Sequence, residues 1–354
     1  MTRRGTSVAI KCVFWLSIFF IVSDAVRGHT PAINYEVRSI AVPDSNGAVI
    51  FDHLAYDRAT GRLWVPASNT GNVDVIDQAS DDVRKIPGFK TAEVDLEGHK
   101  IRMGATAVCI GNGWVYIGNR GNSTLTVING QTLERGETLP VSRDPTEAAR
   151  EPDGAVYVLE TREVWIRTGA SKSIEVFDAA VPGHLKWKLR IPMEAPTEGG
   201  TVDNQRGQFY TNIEETGKTI AIDVRSHKIS SELDPRSHDL QGLALDTARG
   251  FLFVACGDHV VSLDITHGGK FIDSVTTGAG LDDIDFSADQ NVLYAAGSVT
   301  ATLTIADVSN DGKFHVKALI PTAKQARSVI AAQGQTAYLI DPAEGRILKV
   351  SPKP

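Results

Sequence analysis

A unit of about 45 residues recurs along this chain, and repetition at that period restricts the fold more tightly than any other feature of the sequence. The clearest copies are FDHLAYDRATGRLWVPASNTGNVDVID from Phe51, TEGGTVDNQRGQFYTNIEETGKTIAID from Thr197, LQGLALDTARGFLFVACGDHVVSLD from Leu240 and LDDIDFSADQNVLYAAGSVTATLTIAD from Leu281. Two more begin at Ala105 and Thr146, and the last begins at Ala326. Each reads as an apolar strand, a turn, a second strand rich in Val, Tyr, Phe and Ala, a polar loop, a third strand often ending in Asp, and a weaker fourth. Aligning the end of the first strand gives Asp57, Gly111, Glu151, Asp203, Asp246, Ser287 and Ala332, with steps of 54, 40, 52, 43, 41 and 45 residues. Gly, Asp and Asn in the following turns, among them Thr60-Gly61, Asn112-Gly113, Asp153-Gly154 and Arg249-Gly250, suit hairpins that need positive φ.

That spacing predicts an all-β fold, a seven-bladed β-propeller of four-stranded antiparallel blades. Strands such as LFVA and VYVL are apolar on consecutive residues, as expected of blades covered on both faces by their neighbours. The last copy holds only three strands, at 328–331, 337–340 and 347–350, while a spare strand lies at 35–42. Pairing the spare strand as the outer strand of the last blade covers an exposed edge and fastens the ring. The expected organisation is a leader over residues 1–25 and a single propeller domain over 26–354.

The leader is read from Arg3, Arg4 and Lys11 ahead of an apolar run of ten residues, 13–22, with Ser23 and Ala25 as small residues at a cleavage position. A predominantly apolar run of this length suits a signal peptide and is too short to span a bilayer. The expectation is therefore export to the periplasm or the medium, with no stable membrane insertion after cleavage. The remainder carries 33 basic and 42 acidic side chains, which argues against nucleic acid as a partner. Cys109 and Cys256 sit in apolar runs of different copies and are expected as buried free thiols. No C-x-x-C pair, G-x-S-x-G, H-E-x-x-H or phosphate-binding glycine loop occurs.

Propeller geometry places the residues just before each first strand in a ring around the channel mouth, together with the loops between second and third strands. The positions four and five residues before each anchor are Asp52-His53, Thr106-Ala107, Thr146-Glu147, Glu198-Gly199, Gln241-Gly242, Asp282-Asp283 and Arg327-Ser328. The loops add Asn119-Arg120, Glu160-Arg162 and Asn212. His53, Asn119, Arg120, Glu147, Glu198, Asn212, Asp282, Asp283 and Arg327 are thus the candidate ligand-binding set. Convergent carboxylates with an imidazole and an amide can hold a divalent cation, and with the two arginines they can grip a small polar or anionic ligand. His259, in the turn Cys256-Gly257-Asp258-His259, is read as simply exposed.

Phe209-Tyr210-Thr211-Asn212 is a variant of the Y-V-T-N tetrapeptide on a second strand, and Val115-Tyr116-Ile117-Gly118-Asn119 and Leu63-Trp64-Val65-Pro66 hold the same place. Over roughly residues 35–352 the chain resembles the YVTN/YncE-like seven-bladed propellers, a largely exported bacterial group. The resemblance implies ligand or partner binding more readily than a reaction; the expectation is a monomer that takes a small polar molecule or a protein partner. Propeller lactonases are similar in architecture and hold a divalent metal at the mouth through Glu, Asn and Asp. That likeness implies Glu198, Asn212 and Asp283 as metal ligands and metal-dependent hydrolase or lyase chemistry as the alternative. The early Glu-Gly-Pro of those enzymes is here Phe51-Asp52-His53, and no cofactor follows from the sequence with certainty.

Overall fold

A computed structural model describes residues 35–96, 98–142, 152–169 and 171–353. The leader and Glu147 lie outside the described residues. Seven four-stranded antiparallel sheets form the blades, each running from its first strand at the centre to its fourth outside. The first strands touch in succession around the ring, and Val329–Ala331 of blade 7 meets Ala55–Asp57 of blade 1, so the ring is closed.

Closure rests on the spare strand. Tyr35–Ala41 pairs antiparallel with Arg346–Pro352, from Tyr35 opposite Pro352 to Ala41 opposite Arg346, and completes blade 7. Among the described residues, each sheet is therefore flanked by a neighbouring blade on both faces. Seven apolar clusters lie one at each blade interface: Trp64 and Val73 pack on Val108 and Ile117 between blades 1 and 2, and Phe253 packs on Phe286 between blades 5 and 6. This explains the runs of consecutive apolar residues, since both faces of each inner strand are dry. Cys109 and Cys256 are free and buried in separate interfaces.

Two departures from the expected spacing have local causes. The long first step accommodates an extra hairpin, Ala92–Leu96 with His99–Met103, between blades 1 and 2. The third blade is shifted from its expected frame. Its first strand is Pro152–Val158 and its second is Glu163–Thr168. Asp153-Gly154 therefore begins a strand instead of making a turn, and Gly154 is absent from the positive-φ glycines. Placing the anchor at Val158 makes the neighbouring steps 47 and 45 residues. Glu160 and Arg162 consequently belong to the turn between first and second strands, at the end of the blade opposite the mouth.

Candidate functional site

With blade 3 in its true frame, one polar residue from every blade stands at the channel mouth: Asp52, Thr106, Asp153, Glu198, Gln241, Asp282 and Arg327. Backbone irregularities aim them. The pairing of first and second strands slips between Ala105 and Ala107, Pro152 and Ala155, Glu198 and Thr201, and Leu240 and Leu243, always at the mouth end. A bulge bends the strand and redirects its side chains, which is what a ring of convergent groups requires.

The next position along each first strand is His53, Ala107, Gly154, Gly199, Gly242, Asp283 and Ser328. Five are small, and the two large ones meet across blade 7. His53 Nδ1 lies 2.9 Å from Asp283 Oδ2. A Cβ on Gly242 would stand 2.4 Å from the Asp282 carbonyl oxygen, and one on Gly199, where φ is +60°, would stand 2.6 Å from that of Gln241. Neighbouring blades approach here too closely for any other residue.

Guanidinium groups bind the acids into two connected groups. Arg327 reaches Asp282 at 2.7 Å and Asp52 at 3.1 Å. Asp153 pairs with Arg120 through one oxygen and with Arg167, at 3.2 Å, through the other. Arg167 also donates to the Thr197 carbonyl and lies 3.9 Å from Glu198. Donor atoms of Asp52, His53 and Asp153 come within 4.8 Å of one another and join the groups. A cavity of about 50 Å³ opens beside His53, Asp283 and Arg167, room for one or two waters.

Burial alone would lower the His53 pKa, but the carboxylates of Asp283 and Asp52 overcome it and push the imidazole up to about 9. Against the pull of burial, the charge and hydrogen bond of His53, with Arg167 and Arg327 behind it, hold Asp283 below its ordinary range. Asp282 is pushed up to about 7 by burial and by Asp283 and Asp52, with Arg327 opposing. At neutral pH the mouth thus holds a cationic imidazole, three guanidiniums and a nearly matching set of acids.

The expected residues separate into those at the mouth and those inside the sheets. His53, Arg120, Glu198, Asp282, Asp283 and Arg327 share the mouth. Asn119 is buried, its Oδ1 accepting the Gly121 N–H at 2.8 Å. Asn212 is wholly buried, donating to the Gln241 carbonyl and accepting from the Thr219 hydroxyl at 2.6 Å. With its amide engaged at both ends, Asn212 ties blade 4 to blade 5. It lies opposite Glu198 in the strand pairing, but its engaged amide offers no free oxygen to a ligand trio with Glu198 and Asp283. The closer cluster of Asp52, His53 and Asp153 suits a divalent cation poorly. Both Asp153 oxygens already face guanidiniums, Asp52 faces Arg327, and the imidazole carries a proton that a metal would have to displace.

Sequence reasoning missed Asp153 and Arg167. Asp153 was hidden by the frame of blade 3. Arg167 sits in the buried strand Glu163–Thr168, and its signal is a charge that directly follows the apolar Val164-Trp165-Ile166. A Cβ on Gly154 would lie 2.4 Å from its Nη2, so that glycine makes room for the guanidinium.

No protein-family model matches the sequence. A search of curated proteins likewise finds no match. Among solved structures, a chain of the mitotic checkpoint complex superposes with a TM-score of 0.67 at 13% identity, over 96% of this chain and 99% of that one. The WD40 repeats of RRP9 give 0.69 at 9% identity, over 91% and 98%. A streptogramin B lyase gives 0.63 at 11% identity, over 90% and 98%. At these identities the likeness establishes the propeller fold alone.

Proposed function

We propose that this chain is an exported binding propeller, of the YVTN/YncE-like kind, which takes a small polar ligand or the polar tip of a partner segment at its channel mouth. The observation that carries the reading is the His53–Asp283 hydrogen bond, 2.9 Å, which joins blades 1 and 6 inside a ring of acids and guanidiniums. Glu198 is the mouth acid with the most freedom. Its side chain is 36% exposed and its cation neighbour, Arg167, lies 3.9 Å away. A ligand bearing both donors and acceptors can exchange partners with such a ring without stranding a buried charge.

Other observations support parts of the reading. Phe209-Tyr210-Thr211-Asn212 falls on the second strand of blade 4, as in the resembling group. Residues 1–25 have the make-up of an export leader, and the acidic balance disfavours nucleic acid. The superposable chain from the mitotic checkpoint complex is part of an assembly, in keeping with a partner segment as occupant. We place the protein in the periplasm or the medium, as a monomer.

A second reading, hydrolase or lyase chemistry with the His53–Asp283 pair as acid and base, is favoured by the cavity beside that pair and by the fold shared with streptogramin B lyase. The test is a thermal-shift and calorimetric screen of amino acids, small carboxylates and sugars against the native protein and the Glu198→Ala/Asp283→Ala double variant. Binding by the native protein alone supports the mouth. A binder indifferent to both changes overturns it. Chelator should leave the unfolding midpoint in place; a fall restored by one divalent ion would favour the metal-dependent alternative.

A further inference from the structure

A second constellation lies on the mouth face, apart from the ring. The connection from blade 4 to blade 5 runs between Lys228–Leu233 and Leu240–Asp246, and Ser237 lies within it. The turn between the second and third strands of blade 5 brings Asp258 and His259 alongside. Ser237 Oγ is 3.0 Å from His259 Nε2, and His259 Nδ1 is 2.8 Å from Asp258 Oδ1. The three line one open groove of about 620 Å³ with Arg236, Cys256 and Gly280.

The geometry points to Ser237 as a nucleophile, activated by His259 and oriented through Asp258, acting on small activated esters. A hydroxyl within reach of an imidazole whose far nitrogen is held by a carboxylate is the arrangement that acyl transfer needs, whatever the chain order. With Nδ1–H donated to Asp258, Nε2 is left as acceptor for the Ser237 proton. His259 is no freely exposed turn residue, its side chain being 29% exposed. Arg236 and Asp239, on either side of Ser237, both adopt left-handed φ, at +58° and +57°, a conformation that costs energy in residues with side chains. The Gln241 side chain, at a ring position, donates to Asp239 at 3.1 Å and connects the groove wall to the mouth.

The reaction is balanced with water alone as co-reactant. Ser237 Oγ forms a bond to the acyl carbon while its proton passes to His259 Nε2. The carbon–oxygen bond to the alcohol then breaks, and that proton leaves with the alkoxide. Water, giving its proton to His259, next attacks the acyl-serine; the bond from Ser237 Oγ to the acyl carbon breaks, His259 returns the proton to Oγ, and the acid departs. Arg236, on the groove wall, can steady the transient oxyanion. Asp258, at 71% side-chain exposure, holds the imidazole from water, so modest turnover on activated esters is the expected scale. Cys256, Gly257, Ala279 and Gly280 also line the groove, and these small side chains fit a short acyl group.

The full chain would be treated with a fluorophosphonate probe and the labelled residue mapped by mass spectrometry, with p-nitrophenyl acetate hydrolysis followed in parallel. The expected result is one label, on Ser237. Ser237→Ala should abolish labelling, and Ser237→Ala or His259→Gln should slow hydrolysis about a hundredfold or more at an unchanged unfolding midpoint. No label, a label on another residue, or native-rate hydrolysis by folded Ser237→Ala overturns the assignment. Mapping on the native protein decides the matter even where a variant fails to fold.

Discussion

Replacing Asp283 with Asn keeps the shape of the side chain and removes the charge that holds His53 protonated. The native imidazole is pushed from 6.5 up to about 9. That difference corresponds to about 3 kcal/mol in favour of the imidazolium, an order of magnitude for a side chain only 18% exposed. In the variant Asp52 still supports the charge, but burial and Arg167 oppose it, and the titration should fall by about 1.5 pH units or more. Because the folded value lies above the unfolded one, the stabilisation is complete below about pH 6.5 and is lost as pH rises through 9. Denaturant titrations at pH 6, 8 and 9.5 should therefore show a gap between native and variant protein of about 2 kcal/mol or more at pH 6 that closes toward the alkaline end. Histidine resonances followed by NMR over the same range give the titration itself. A native His53 titrating at 6.5, or a gap of constant size up to pH 9.5, would refute the account of the mouth as an ion-paired ring.

Gly154→Ala sets a Cβ against the Arg167 guanidinium and should cost about 2 kcal/mol, read as a lowered unfolding midpoint. Arg167→Ala, which leaves Asp153 with Arg120 alone, should cost about 3 kcal/mol. Since both changes act on one contact, the double variant should be scarcely worse than the single one in the same denaturant titration, whereas additive losses would contradict the assigned role of the glycine. Removing residues 1–42 bares the Arg346–Pro352 edge, and the truncated chain should lose cooperative thermal unfolding and self-associate on size exclusion. Cys109 and Cys256, whose thiols burial pushes up, Cys256 to about 11, should resist Ellman's reagent in the native protein and react on unfolding.

The blade count and the closing strand were legible because each depends on local chemistry that repeats: a turn, an apolar run, another turn. Blade 3 was not legible in the same way. Asp153-Gly154 has the composition of a hairpin turn, yet its glycine exists to admit a guanidinium from a neighbouring strand, a tertiary demand that no local pattern carries. The consequence ran into the site, since the shifted frame passed over Asp153 and put Glu160 and Arg162 at the wrong end of the blade. Asn212 shows the converse limit. An amide at the mouth end of a strand is a fair ligand on chemistry alone, but the Gln241 carbonyl and the Thr219 hydroxyl, brought near only by folding, occupy it. Ser237 and His259 lie 22 residues apart in a connection and a turn, so their meeting is visible only in three dimensions.

The ring at the mouth imposes a condition on anything that binds there. Three guanidiniums and an imidazolium already answer Asp52, Asp153, Asp282 and Asp283, and each acid answers them in turn. Away from the loosely held Glu198, an ion of either sign that enters without a counter-group must break one of these pairs and leave a half-buried charge alone, which costs more than one new contact returns. A ligand carrying both signs, or paired donors and acceptors, can take over both halves of a broken pair. Selectivity at the mouth is therefore set by the spacing of opposite charges in the ligand more than by its net charge. Added salt should weaken such binding only modestly, because the ligand replaces one internal pair by another and releases few counter-ions. A bare cation or anion, by contrast, should show both weak affinity and steep salt dependence, and calorimetry at two ionic strengths separates the cases.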